Sequence, residues 1–79
     1  MRLTYDPRYN IAYLRLREKT GELETIHISD AVNIDVSPDG TVFVIELLNA
    51  NEQLNASDAG ALVVVNEERG DRREISFGL

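Results

Sequence analysis

Alternation of apolar and polar residues predicts a β-hairpin at the start of the chain. Over residues 11–17 every second position is apolar, with Ala12, Leu14 and Leu16 on one side and Tyr13, Arg15 and Arg17 on the other. A period of two is typical of a strand that buries one face of its sheet. Leu3 and Tyr5 share one side of an earlier, short strand. The intervening segment 6–10, Asp-Pro-Arg-Tyr-Asn, favours a turn between the two strands.

The clearest signal is a second hairpin over residues 32–48. Residues 32–36 alternate between apolar and polar, and Ser-Pro-Asp-Gly at 37–40 is typical of a tight turn in which Gly40 adopts a positive φ. The strand after the turn, residues 42–48, is apolar on both faces. Such a strand belongs in the middle of a sheet that is covered on both sides. A helix, the C-terminal hairpin or another subunit are the alternatives for the second cover.

The remaining segments predict shorter elements of the same kind. Residues 23–28 form another alternating strand, residues 51–61 are polar and small, and residues 62–79 contain two β-rich runs. These patterns predict a strand, a loop or short helix, and a C-terminal hairpin. We therefore predict a single small domain over residues 1–79 with a β-hairpin core at 1–50. Its fold class is mainly β, with an antiparallel sheet of about six or seven short strands and at most one short helix.

The size and composition of the chain limit its core. A chain of 79 residues buries only about 60 to 65% of the surface that its unfolded form exposes, so the core is thin. Cysteine is absent, which excludes a disulfide framework and favours a reducing compartment. No apolar run approaches the ~20 residues of a membrane span, and the N terminus lacks the pattern of a signal peptide. We expect a cytoplasmic protein without a membrane segment or a cofactor.

The two signs of charge are segregated along the chain. Residues 1–20 carry +3, residues 21–68 carry -10 without a single Lys or Arg, and residues 69–79 carry +1, which gives the net charge of -6. An acidic total disfavours a phosphate backbone as partner, because such binding depends on Lys and Arg. Opposite charges can instead pair within the fold, across a homodimer, or with a basic protein.

A catalytic interpretation centres on the one histidine of the chain. His27 falls on the polar side of its strand, close to Ser29 and Asp30. Ser29, His27 and Asp30 offer the residue types of a catalytic triad. Such catalysis needs a rigid pocket, which a small sheet hardly provides. We favour an exposed strand histidine and a non-enzymatic protein, with a small hydrolase as a distant alternative.

Three carboxylates admit a second chemical interpretation. Asp35 and Glu46 offer an acid–base pair, and together with Asp39 they offer oxygen ligands to a divalent cation. No spacing typical of a metal site supports this interpretation. The turn explains Asp39, and pairing with an arginine is the favoured explanation of Glu46. We therefore assign no catalytic, cofactor-binding or metal-binding residues.

A candidate interaction surface begins on the N-terminal hairpin. Tyr13, Arg15 and Arg17 share one side of the predicted strand, and Tyr and Arg are the residue types enriched in protein interfaces. Asp35 and Glu46 complete this candidate surface with the opposite charge. Aromatic and cationic residues also occur together where single-stranded nucleic acid stacks, but the acidic middle of the chain disfavours that partner.

Several short pieces of the sequence resemble one small prokaryotic family. They are Tyr5-Asp6-Pro7, Ala12 to Leu16, Val32 to Val36, Asp39-Gly40 with Val42, and Ile45 to Ala50. Their order and spacing are similar to the family catalogued as domain of unknown function 2283, over residues 1–50. Asn49 stands where the family pattern usually has an acidic residue, and residues from Asn51 onward show no such similarity. The resemblance implies a compact, mostly antiparallel domain and no mechanism.

These observations favour a protein-interaction or self-associating module without enzymatic activity. We expect a homodimer first, because a small core and a strand with two apolar faces both benefit from a second subunit. The alternative partner is a small basic protein that binds the acidic middle of the chain, as an antitoxin-like or regulatory subunit would. A small hydrolase or a metal-binding protein is the third alternative.

Overall fold

The computed structural model describes residues 1–18 and 20–79, and it confirms the mainly β, antiparallel fold. Its elements are β1 Arg2–Asp6, β2 Ile11–Arg15, β3 Glu24–His27, β4 Val32–Val36, β5 Val42–Leu48, α1 Ala50–Leu54, β6 Ala61–Asn66 and β7 Asp71–Ser76. A short 3-10 turn at Asp58–Gly60 precedes β6. In the two described ranges, no helix has the length and apolar content needed to cross a membrane.

The five N-terminal strands form one antiparallel sheet in the order β1-β2-β5-β4-β3. β5 lies in the middle, as its two apolar faces predicted, and β1 and β3 are the edges. The predicted strand at residues 11–17 is shorter in the structure, because β2 ends at Arg15. The predicted loop or short helix at 51–61 corresponds to α1 and the 3-10 turn.

The register of the strands places one apolar row across the whole sheet. Going from β1 to β3, this row contains Leu3, Leu14, Ile45, Ile34 and Ile26. Because successive side chains of a strand point to opposite faces, these five residues lie on the same face, which we call the apolar face. Tyr5, Ala12, Leu47 and Val32 add a second row to it.

The turn between β4 and β5 has the predicted geometry. The amide of Gly40 donates to the carbonyl of Ser37 at 2.9 Å, and the amide of Ser37 donates to the carbonyl of Thr41 at 3.0 Å. Gly40 has a φ of 87°, a conformation that glycine adopts without steric cost. The register shifts between Asp35 and Val36, so a β-bulge leads the strand into this corner.

A cluster of asparagines joins the turn after β1 to the start of α1. Asn10 Nδ2 donates to Asn49 Oδ1 at 3.1 Å and to Asn51 Oδ1 at 2.7 Å. Asn10 Oδ1 accepts from the amide of Asn51 at 2.9 Å and from the hydroxyl of Tyr5 at 3.0 Å. Asn10 and Asn49 both have positive φ, which asparagine tolerates better than most residues. The cluster fixes α1 at this end of the sheet, where Ala50 is fully buried.

The hydrophobic core is small. Among the described residues the buried apolar side chains are Ala12, Val36, Phe43, Val44 and Ala50, and four of these are Ala or Val. The edge positions of the apolar row, Leu3 and Ile26, remain 37% and 38% exposed. The apolar face is therefore only partly covered by the chain itself.

The C-terminal hairpin of β6 and β7, which we call the arm, forms a separate two-stranded sheet. Its base is held by a hydrogen bond of 3.0 Å from the amide of Phe77 to the carbonyl of Gly60. An open groove of about 390 Å³ separates Leu62 and Ile75 of the arm from Leu3 and Leu14 of the sheet. Every residue of β7 is exposed, so the arm stands beside the sheet without closing its apolar face.

We predict that Gly40→Val lowers the free energy of unfolding by about 1 to 2 kcal/mol, because a β-branched residue is strained at positive φ. A side chain at this position meets no neighbouring atom within 4 Å, so the cost arises in the backbone alone. Gly40→Asn is the matched control, and it should cost less because asparagine tolerates the left-handed region. Denaturant unfolding measures both. Equal stability of the Val variant and the original chain would contradict the turn assignment.

Candidate functional site

The face of the sheet opposite to the apolar face carries a row of polar side chains. From β1 to β3 this row contains Thr4, Tyr13, Glu46, Asn33 and His27. Directly opposed residues on neighbouring strands are close enough for their side chains to interact. His27 Nδ1 lies 2.9 Å from Asn33 Oδ1, so the row is linked by a hydrogen bond at its β3 end. We call this side of the sheet the polar face.

The next row of the polar face combines charges with one apolar residue. Val44 of β5 lies between Arg15 of β2 and Asp35 of β4, and it is only 2% exposed. The hydroxyl of Thr25 donates to Asp35 Oδ1 at 2.7 Å. Within the part of the chain that the structure describes, the buried Nε of Arg15 has no hydrogen-bond partner.

The structure brings together four of the five residues of the candidate interaction surface. Tyr13, Arg15, Asp35 and Glu46 all lie on the polar face, on the three central strands. Arg17 follows the end of β2, and its guanidinium lies 5.7 Å from the centre of the Phe43 ring. On this face Arg15 and the opposing Arg2 lie on one side of Val44 and Asp35 lies on the other, with Glu46 in the neighbouring row, so charges of both signs are mixed.

The surroundings of His27 correspond to an exposed strand histidine. Its Nε2 lies 3.8 Å from Asp30 Oδ1, and the imidazole is 64% exposed. Ser29 Oγ accepts a hydrogen bond of 3.1 Å from the amide of Ala31, which holds the turn between β3 and β4. The side chains of His27, Ser29 and Asp30 thus make only local contacts, within β3 and the turn that follows it. Solvent screens the attraction between His27 and Asp30, because both side chains are exposed.

The three carboxylates considered for acid–base or metal chemistry are divided between two places. Asp35 and Glu46 are diagonal neighbours on the polar face, because Asp35 opposes Val44 and Glu46 opposes Asn33. Asp39 lies in the turn, where its Oδ1 accepts from the Ser37 hydroxyl and from the amide of Thr41. In the described ranges no group of three or more His, Cys, Asp or Glu residues could hold a metal ion.

The ionisation of Asp39 is tied to the turn. The hydrogen bonds from the Ser37 hydroxyl and the Thr41 amide lower the pKa of Asp39 from 3.8 to about 2, because they stabilise the carboxylate form. Glu46 forms no ion pair with the residues that the structure describes, so the arginine partner expected from the sequence is absent there. Its direct neighbours are instead Tyr13 and Asn33.

Several exposed apolar side chains lie outside the residues named from the sequence as a candidate surface. On the arm, Leu62, Val64 and Ile75 are 47%, 51% and 57% exposed. At the opposite edge of the sheet, Ile28 is 58% exposed beside Ile26. The signal in the sequence was the run Leu-Val-Val-Val at residues 62–65, which has no polar side and therefore predicts a strand that needs a cover on both faces.

Comparison with known proteins yields one finding about the chain. A family model described as "Protein of unknown function (DUF2283)" matches residues 2–51. No curated protein and no solved structure matches the chain. The matched segment contains the whole five-stranded sheet and the asparagine cluster, and it ends within α1. The arm lies outside the match.

We predict that Asp39 makes stability depend on pH in the acid range. Its folded pKa of about 2 lies below the ordinary value of 3.8, so its contribution is fully present above about pH 4 and is lost as the pH falls through about 2. Asp39→Asn should lower the free energy of unfolding at pH 7. At pH 2 the free energies of unfolding of the variant and of the original chain should differ by less than they do at pH 7. Unfolding by urea at both pH values measures this. A difference that is the same at pH 7 and pH 2 would contradict the role of the carboxylate.

Proposed function

This chain belongs to the DUF2283 family of proteins of unknown function, and on that premise we propose that it is a non-enzymatic, self-associating module that forms a homodimer. The absence of cysteine from the chain is consistent with a reducing compartment, and we include a cytoplasmic location in the proposal. The support comes from the surface area and the core of the single chain.

The accessible surface of the chain is the observation that carries the proposal. It amounts to 5910 Å², which exceeds the ~4,800 Å² expected of a compact monomer of 8.9 kDa by about 1,100 Å². A stable interface removes about 800 Å² from each partner. The excess therefore has the size that one homodimer interface would bury.

The shape of the chain agrees with this comparison. The radius of gyration is 14.1 Å, whereas a compact chain of 79 residues has a value of about 11.6 Å. The arm accounts for this extension, because it forms its own sheet beside the main one. A chain with this outline gains stability from a partner that fills the space between arm and sheet.

The thin core gives an energetic reason for association. Burial of apolar surface contributes about 25 cal/mol per Å², and the apolar row leaves Leu3 and Ile26 more than one-third exposed. A second subunit that covers these side chains adds apolar burial that the single chain lacks. Folding and association are then coupled, as is common for small chains.

The polar face is the surface for the alternative partner. Tyr13, Arg15, Asp35 and Glu46 lie there half-buried, and binding of a small basic protein would use the carboxylates of this face together with the acidic β3 and β4 segments. This alternative does not require the apolar face to be covered by a second copy. The two hypotheses therefore differ in the mass of the purified protein.

We predict that light scattering of the purified chain at micromolar concentration returns a mass twice the 8.9 kDa of the single chain. The reason is the exposed apolar area, which a second copy removes from water. Tyr13→Ala is a control on the polar face, and it should leave the mass unchanged. A monomer mass at micromolar concentration and low salt would falsify the homodimer, and co-purification with a small basic protein would then favour the alternative.

A further inference from the structure

One face of the arm carries a short stripe of apolar residues that ends in an arginine. Leu62 pairs with Ile75, and Val64 pairs with Arg73, two residues further along each strand. The alternation of side chains places these four residues on the same face of the arm. Val64 and Arg73 line an open pocket of about 700 Å³, together with Asn66, Arg69, Asp71 and Arg72. The face is therefore accessible to a partner.

The far edge of the main sheet carries a stripe of matching length and chemistry. Glu24, Ile26 and Ile28 follow one another at every second residue, with Glu24 and Ile26 inside β3. Ile26 belongs to the apolar row, so by alternation within β3 Glu24 lies on the same side, and Ile28 follows just beyond the end of the strand. Ile28 is more than half exposed, and β3 is an edge strand.

The arm does not reach this stripe within its own chain. Its residues Leu62 and Ile75 line the groove beside Leu3 on β1 and Leu14 on β2. In the order β1-β2-β5-β4-β3, β3 lies three strands beyond β2. With strands about 4.8 Å apart, the β3 stripe lies about 14 Å from the strand that the arm faces. Two complementary surfaces are thus left at opposite sides of one molecule.

We propose that in the homodimer each protomer lays its arm on the apolar face of the other, over the partner's β3 edge. This inference rests on the self-association proposed above and specifies its geometry. A two-fold axis parallel to the strands brings the β1 side of one sheet over the β3 side of the other. Both arms then make the same contact, which closes the assembly at two copies.

The charges of the two stripes support this arrangement. On the arm, Arg69 pairs with Asp71 and Arg72 pairs with Glu74, whereas Arg73 has no ion pair within the described residues. Glu24 likewise has none there. When Ile75 contacts Ile26 of the second copy, the neighbouring positions two residues away in each strand are Arg73 and Glu24. The apolar contacts are thereby flanked by one complementary pair of charges.

Charge reversal tests the contact between the two copies. Arg73→Glu and Glu24→Arg should each weaken the dimer about tenfold, because each creates two like-charge contacts in a two-fold assembly. The double variant restores opposite charges and should recover the original dissociation constant to within about threefold. Arg2→Glu is the matched control, because it makes the same change of charge at an arginine that also has no ion pair within the described residues and that lies on the polar face opposite Arg15. Sedimentation equilibrium measures all four, with circular dichroism to verify folding.

Disulfide trapping provides an independent readout that does not depend on charge. The chain contains no cysteine, so an Ile75→Cys chain mixed with an Ile26→Cys chain can form a disulfide only between the introduced positions. We expect a covalent dimer in the mixture, formed faster than with either variant alone. No such species in a chain that is still dimeric, together with wild-type affinity of Arg73→Glu, would overturn the arm exchange and leave self-association intact. A monomeric original chain would overturn both proposals.

Discussion

Coverage of one apolar row is the constraint on which the rest of this structure depends. Leu3, Leu14, Ile45, Ile34 and Ile26 cross all five strands of the sheet, and such a row is stable only when it is removed from water. The chain offers two small elements outside the sheet, the five residues of α1 and the arm, and the arm stands beside the sheet without closing this face. The apolar row therefore remains incompletely covered, because its central residues are only half-buried and its end residues Leu3 and Ile26 are more than one-third exposed. Because the chain covers its apolar face only in part, a second copy that covers the rest would stabilise the fold, and this is the basis of the proposed association.

Much of the fold was predictable because its signals are local. The turn at Gly40, the central position of β5 and the alternation that separates Tyr13 and Glu46 from the apolar row depend on neighbouring residues and on a period of two. The asparagine cluster was not predictable, because its members are separated by about forty positions and none shows a periodic pattern. The truncation of β2 at Arg15 was equally hidden, because the alternation continues for two residues beyond the strand.

The candidate site was predictable only in part, for a related physical reason. Alternation places Tyr13, Arg15, Asp35 and Glu46 on one face, but it does not reveal how far each apolar residue is covered. Coverage is a property of packing between elements distant in sequence. The run at residues 62–65 indicates that the arm needs a cover, but the fact that the stripes of the arm and of β3 stay exposed emerges only from the three-dimensional arrangement. The polar face mixes both signs of charge at close range, which suits a solvated surface as well as a contact.

The dependence of thermal unfolding on protein concentration tests the central claim most directly. If a second copy completes the cover of the apolar face, unfolding and dissociation are one process, and the melting temperature rises with concentration. Across a hundredfold range we expect an increase of several degrees. A melting temperature that is the same at both ends of that range would show that the single chain is stable by itself, and it would contradict the account.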